Sequence, residues 1–305
     1  MTDPSENLRS EFLREIRRRM RSIRGIVREQ VGYENDVFGL SEDGEQARPG
    51  ELGDDDPDVF RFQTRRENID AFLRWFTDRL RRGLLEPTRV RDVERGEHYT
   101  GEFMRAAYAQ AWRQARNRLR QQGVEVGSLP GDADEADGLI TALGSMPAPR
   151  RSLREIYLRT YENLQSIENE MTETVRATLL EGLTDGVNPR EMARTLTDEI
   201  ESLQRTRAET LARTETVHAY TEATIDRYRA AGVETVQHGE FSDSDDSRVC
   251  PICESLDGRE IPLRTIDDAT FTFEPSESDP DSLAGEYALK PPIHPSGRCV
   301  LLPLI

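Results

Sequence analysis

Apolar side chains recur at helical spacing along most of the first 230 residues. This period constrains the fold more than any other feature. Leu8, Phe12, Leu13, Ile16, Met20, Ile23, Ile26 and Val27 mark one helical face. The spacing predicts an amphipathic helix from about Ser5 to Gln30. A second helix carries Ile69, Phe72, Leu73, Phe76 and Leu80. A third carries Phe103, Ala107, Tyr108, Ala111, Trp112, Ala115 and Leu119, with Gly123 placed to end it. "SLRE", Ser152 to Glu155, matches a capping box and marks the start of a fourth, which ends at "GLTDG". "NPRE" opens the next helix: Asn188 can cap it and Pro189 fits its first position. A last long helix is expected from about Gln204 to Ala231, with Gly232 ending it.

Composition agrees with thin helices carrying a single apolar stripe. Hydrophobic residues make up 35% of the 305 and charged residues 32%. No apolar run is long enough to cross a bilayer, so no membrane is expected. The first twenty residues lack the apolar segment of a secretory signal, and three cysteines cannot all pair. A cytoplasm that keeps thiols reduced is therefore the expected folding compartment. The net charge is -17, and Lys290 is the single lysine among 41 basic residues. That balance fits a halophilic protein made in concentrated salt, where a Debye length of ~3 Å near 1 M screens a dense acidic surface. GC-rich coding would explain the missing lysines but not the excess acid.

Charge also divides the chain. Residues 1–31 hold eight arginines against five acids, and read as an N-terminal amphipathic helix. Residues 32–59 hold ten acids and one arginine, and read as an acidic linker or loop. Residues 60–150 and 151–232 read as two further helical regions. The fold class is then mainly α, an elongated helical body followed by a small C-terminal α+β unit at 233–305. Phe72, Trp75, Phe76, Phe103 and Trp112 are many large rings for a thin bundle. They are expected either to leave aromatic surface for a partner or to be covered by a neighbouring helix.

In the last 70 residues, "VETVQHGEF" and "CVLLPLI" read as strands separated by a long acidic loop, and so small a unit buries little. Cys250 and Cys253 form a C-x-x-C pair on one tight turn stiffened by Pro251; His294 and Cys299 lie about 40 residues on. Three thiolates and an imidazole would suit a closed, structural zinc site. Unligated thiols packing as small apolar groups, and redox chemistry, are the other readings of the same spacing. His98, His218 and His238 are isolated, although His238 lies close enough upstream to replace a ligand. Glu209 and Arg213, spaced for an ion pair, share a helix face. No phosphate loop, nucleophile elbow or paired-carboxylate signature is present, so neither catalytic residues nor an enzyme is expected.

"LARTET", "DSRVCPICESLDG" and "PPIHPSGRCVLLPLI" together resemble the head morphogenesis domain of tailed viruses, the phage Mu F-like minor head protein family. The matching positions are Ala212 to Glu215, Asp246, Arg248, Cys250, Cys253, Leu256 to Gly258, Pro291, Pro292, His294, Arg298 and Cys299. The resemblance covers about residues 150–305. One departure stands out: Gly297 occupies a position where the family usually has cysteine. The resemblance implies a minor capsid protein of the virion, inside the capsid near the portal, acting in head assembly and in packaging or ejection of DNA. Its implied partners are the viral portal protein, the major capsid or scaffold protein, and packaged viral DNA. With the acidic composition, it implies a haloarchaeal virus. A zinc-stapled DNA-binding virion protein is the alternative, supported only by the basic first segment.

Overall fold

The computed structural model describes residues 6–30, 65–127, 136–185, 187, 189–240, 250–295, 297 and 299–305. The acidic stretch 32–59, Asp246 and Arg248 lie outside the described residues. The helices are α1 (Glu6–Gln30), α2 (Arg65–Leu80), a π-helical turn (Arg81–Leu85), α3 (Val90–Glu94), α4 (Thr100–Gln121), α5 (Ala136–Ser145), α6 (Pro147–Thr184), α7 (Pro189–Ala230) and the short α8 (Pro251–Glu254). The strands are β1 (Thr235–Glu240), β2 (Glu260–Pro262), β3 (Thr270–Phe273), β4 (Gly285–Ala288) and β5 (Cys299–Leu304). The protein is thus mainly α with a small C-terminal sheet unit, as the periodicity predicts.

Two helix boundaries differ from the sequence reading. α6 starts at Pro147, not at the Ser152 capping box. Pro147 and Pro149 sit in a first turn where a missing N–H costs nothing. Ser152 instead points sideways and donates to Asp226 at 2.7 Å. The two helices expected after Asn188 are one helix of 42 residues. No glycine or proline interrupts it between Glu191 and Ala230, so nothing ends the first segment. α7 does stop at Gly232, which adopts φ +77°. There Val233 N–H returns to Tyr228 O at 3.1 Å and Gly232 N–H to Arg229 O at 3.1 Å, which satisfies the last carbonyls.

The chain divides into two compact units. Residues 13–88 and 161–209 form an all-helical one. Its buried face includes Ile16, Met20, Phe72, Phe76, Leu164, Met171, Val175 and Ile200. Polar bonds tie its helices together: Gln204 Nε2 donates to Met20 O at 2.7 Å, and Arg81 pairs with Glu168 at 3.0 Å. The rings expected to leave aromatic surface are largely covered within the chain. Phe72 and Phe76 are fully buried and Trp112 is 1% exposed, while Val90, Leu180 and Ile305 are the large apolar residues left open among the described ones.

The other unit comprises residues 1–12, 89–160 and 210–305. Here β1 is the centre of a three-stranded sheet ordered β2-β1-β5, and β3 pairs with β4 in a separate hairpin. β1 and β5 are antiparallel over six residues, from Thr235 opposite Leu304 to Glu240 opposite Cys299. The two expected strands therefore hydrogen-bond to each other directly. Their core is shared with helices: Ala115 and Leu119 of α4 and Ile225 and Tyr228 of α7 pack with Val236, Ile252, Leu256, Ile261 and Leu301.

Candidate metal centre

The C-x-x-C turn is built by α8. Cys250 is its N-cap, with Pro251 at the first helical position, and Cys250 Sγ accepts from Cys253 N–H at 3.3 Å. This puts both sulfurs on one side of a single turn. The following "LDG" docks the turn on the sheet. Gly258, at φ +75°, sends its N–H to His238 O at 3.0 Å, and His238 N–H bonds Arg259 O at 2.9 Å. A residue with a side chain would be strained in that left-handed conformation.

His294 arrives from the loop before β5. Its Nδ1 lies 2.9 Å from Pro295 O, a bond that puts the ring proton on Nδ1 and leaves Nε2 as the free donor. Nε2 lies 2.9 Å from Cys250 Sγ and 3.2 Å from Cys253 Sγ. Cys250, Cys253 and His294 are the three residues whose donor atoms all lie within 4.8 Å of one another. The edges of a zinc tetrahedron with these ligands are ~3.4–3.8 Å, so the set needs little spreading to take an ion. Cys299, at the start of β5, stands beside this trio: its Sγ is 3.0 Å from Cys253 Sγ and it is 3% exposed. His238 is not among the three convergent donors; its Nε2 contacts Leu289 O at 2.6 Å.

The donors perturb one another. The hydrogen bond with Cys253 holds the Cys250 thiol down to about 4, with His294 adding to the effect. The same Cys253 contact brings Cys299 to about 6. Cys253, between two sulfurs that hold charge more readily, is pushed far up, and Cys250 raises His294. A cluster that readily sheds protons from two of its thiols suits a cation. Position 297 faces the same place. A Cβ added at Gly297 would lie 3.7 Å from His294 Nε2 and 3.1 Å from His294 O.

Other buried polar groups fix the surroundings, and the sequence did not single them out as a set. Glu215 of the "ARTE" stretch is fully buried, accepting from Thr160 Oγ1 at 3.2 Å and Arg159 Nε at 3.4 Å. Asp226 accepts from Tyr108 and Ser152, joining α4, α6 and α7. Lys290 bridges Glu222 of α7 at 2.5 Å and Asp267 at 2.7 Å, and Arg229 adds a second contact to Asp267 at 2.6 Å. The one signal for this anchor was that Lys290 is the lone lysine. His98, expected at a surface, is 3% exposed with Nδ1 2.8 Å from Thr100 Oγ1.

Residues 173–302 match the family model of phage Mu protein F-like proteins, a span from the second half of α6 into β5. No curated protein and no solved structure matches the chain. The C-terminal segment is a phage Mu F-like head morphogenesis domain, as the resemblance implied.

Proposed function

We propose, from the phage Mu F-like domain that residues 173–302 carry, that this chain is a minor head protein of a tailed virus. It joins the capsid interior near the portal and acts in head assembly and in packaging or ejection of DNA. Zinc held by Cys250, Cys253 and His294, with Cys299 adjoining, closes the C-terminal unit. The acidic, lysine-poor composition supports a haloarchaeal host. The family match is the observation that carries the reading. A mass spectrum of purified virions tests it: peptides of this chain at low copy are expected, and their absence from intact particles would overturn it. Co-purification with the portal protein should survive high salt. Release from the portal but retention on DNA as salt rises would favour the DNA-binding reading.

The role is structural rather than catalytic. Taken alone, the Cys250–His294 contact resembles a thiolate–imidazolium pair. Cys253 shares the same Nε2, and Cys299 stands behind it, which favours a ligand set. Alkylation separates the two. Slow reaction of all three thiols until a chelator is added supports the metal; fast reaction of Cys250 alone supports a nucleophile.

A further inference from the structure

A cleft of about 550 Å³ in the unit formed by residues 1–12, 89–160 and 210–305 is lined by Arg91, Arg95, Arg105, Arg150 and Arg154, against one carboxylate, Glu94. Five positive charges against one negative leave a net of four, in a chain whose acids outnumber its bases by 58 to 41. The guanidinium groups come from separate segments, namely α3 and its C-cap, α4, and the first turns of α6.

Few of these cations are committed. Arg154 pairs with Glu94 at 2.6 Å. Arg105 donates to Gly96 O at 2.7 Å and lies 6.0 Å from the centre of the Tyr157 ring. Arg95 comes only to 3.9 Å of Glu97. Arg91 and Arg150 make no side-chain hydrogen bond or ion pair among the described residues. Elsewhere in the same unit arginines do find acids, as Arg229 finds Asp267. Like charges gathered around a concavity repel unless an anion lies between them. Leu153 and Tyr157, each 5% exposed, give the cleft an apolar wall that strengthens such an interaction.

The number of cations selects the class of anion. A carboxylate brings one charge and two oxygens. A phosphate brings up to two charges and three oxygens that planar guanidinium forks bind in pairs. The volume falls in the usual range of ligand sites, ~300–1,000 Å³, and so leaves room for whatever the phosphate is attached to. We propose that this cleft binds a phosphate-bearing ligand, with Arg91, Arg95, Arg105 and Arg150 holding the phosphate oxygens. The cleft precedes the matched segment, so the proposal does not rest on the head-protein reading.

The test uses the full chain and two probes, inorganic pyrophosphate by calorimetry and a labelled single-stranded DNA oligonucleotide by fluorescence anisotropy. They distinguish a free phosphate ligand from a nucleic-acid backbone. Arg91→Gln/Arg150→Gln removes the two cations without a partner and disturbs no described side-chain bond. Arg21→Gln/Arg120→Gln makes the same charge change at exposed sites outside the cleft. Binding of at least one probe is expected, weakened about tenfold or more by the cleft pair and less than about twofold by the control pair. If DNA is the ligand, the salt slope should also fall by about two in the cleft pair. Equal loss in both pairs, or no binding of either probe, overturns the proposal. So does binding only of a synthetic peptide of residues 32–59, because the cleft would then hold the chain's own acidic stretch.

Discussion

In the all-helical unit, long helices bury full-length apolar stripes, and the polar bonds at their edges are mostly exposed pairs. Arg24–Glu201 and Arg207–Glu170 are of this kind. Each such pair contributes ~0–1 kcal/mol. Residues 233–305 have five short strands and a clustered donor set instead. They depend on a few strong local ties: three sulfurs around an imidazole, one lysine between two carboxylates, and a core lent by α4 and α7. A helix with a regular stripe spreads its stability over many residues. A small sheet unit concentrates it in a few, and those few are where single changes should tell.

The largest effect should follow loss of the metal. One zinc per chain is expected by elemental analysis of protein never exposed to chelator. Chelation, or Cys253→Ser, should cost several kcal/mol, by comparison with the ~10–16 kcal/mol of small zinc-dependent domains. Hydrogen exchange should rise in β1, β2 and β5 while α1 and α2 keep their protection. Equal loosening of both regions would break the comparison. A metal-free chain with unchanged exchange would show that the core shared with α4 and α7 suffices.

Next is Lys290→Met. Lys290 is 20% and Glu222 13% exposed, and burial already raises the Glu222 carboxyl, with Lys290 opposing that rise. Removing the cation leaves a buried carboxylate uncompensated, at a cost of about 3 kcal/mol in urea unfolding. Adding Glu222→Gln should recover part of the loss, and a purely additive double variant would deny the coupling.

His218 gives a smaller, pH-dependent effect. Burial, with Arg159 and Lys290 nearby, brings its imidazole down to about 3, and Glu222 lies 3.4 Å from Nε2. Its Nδ1 is buried without a hydrogen-bond partner. The unfolded chain protonates this group near 6.5, while the folded one resists until about 3. The unfolded state therefore binds more protons between those values. The stability is fully present above 6.5 and falls by about 1.4 kcal/mol per pH unit below it. The difference between wild type and His218→Gln, measured from pH 7 to 5, should show that slope. A flat difference would mean that water reaches the ring.

The helices were legible because burial on one face repeats every three to four residues, and no tertiary partner is needed to see it. The misplaced boundaries have a common cause. Ser152 has the chemistry of a cap, yet its hydroxyl is used by Asp226, 74 residues away. β3 and β4 were missed because Thr270–Phe273 and Gly285–Ala288 are short alternations inside an acidic stretch that reads as loop. At the metal centre, the C-x-x-C and the histidine were legible from spacing. That Cys299 sits against Cys253 rather than within the convergent trio follows from the β1–β5 register, which no local pattern encodes. The Lys290 anchor was hidden for the same reason, since its partners lie on α7 and in the turn after β2.

The smallest expected change sharpens the comparison most, because it adds a tie to the sheet unit instead of removing one. Gly297 stands where the resembled family usually has cysteine, and a Cβ there would lie 3.7 Å from His294 Nε2. One more bond would carry a sulfur to the edge of the donor set, so Gly297→Cys should supply a convergent fourth ligand that Cys299 provides only through Cys253. The same Cβ would sit 3.1 Å from His294 O, so the loop must shift by a few tenths of an ångström, and that strain offsets part of the gain. The net expectation is about tenfold tighter zinc binding, equivalent to about 1.4 kcal/mol, read by competition with a chromophoric chelator. Gly297→Ala supplies the control, since it carries the strain without the sulfur and should bind zinc no better than wild type. If the two variants behave alike, the set is already closed by Cys299, and the trio has rearranged around it once the ion is bound.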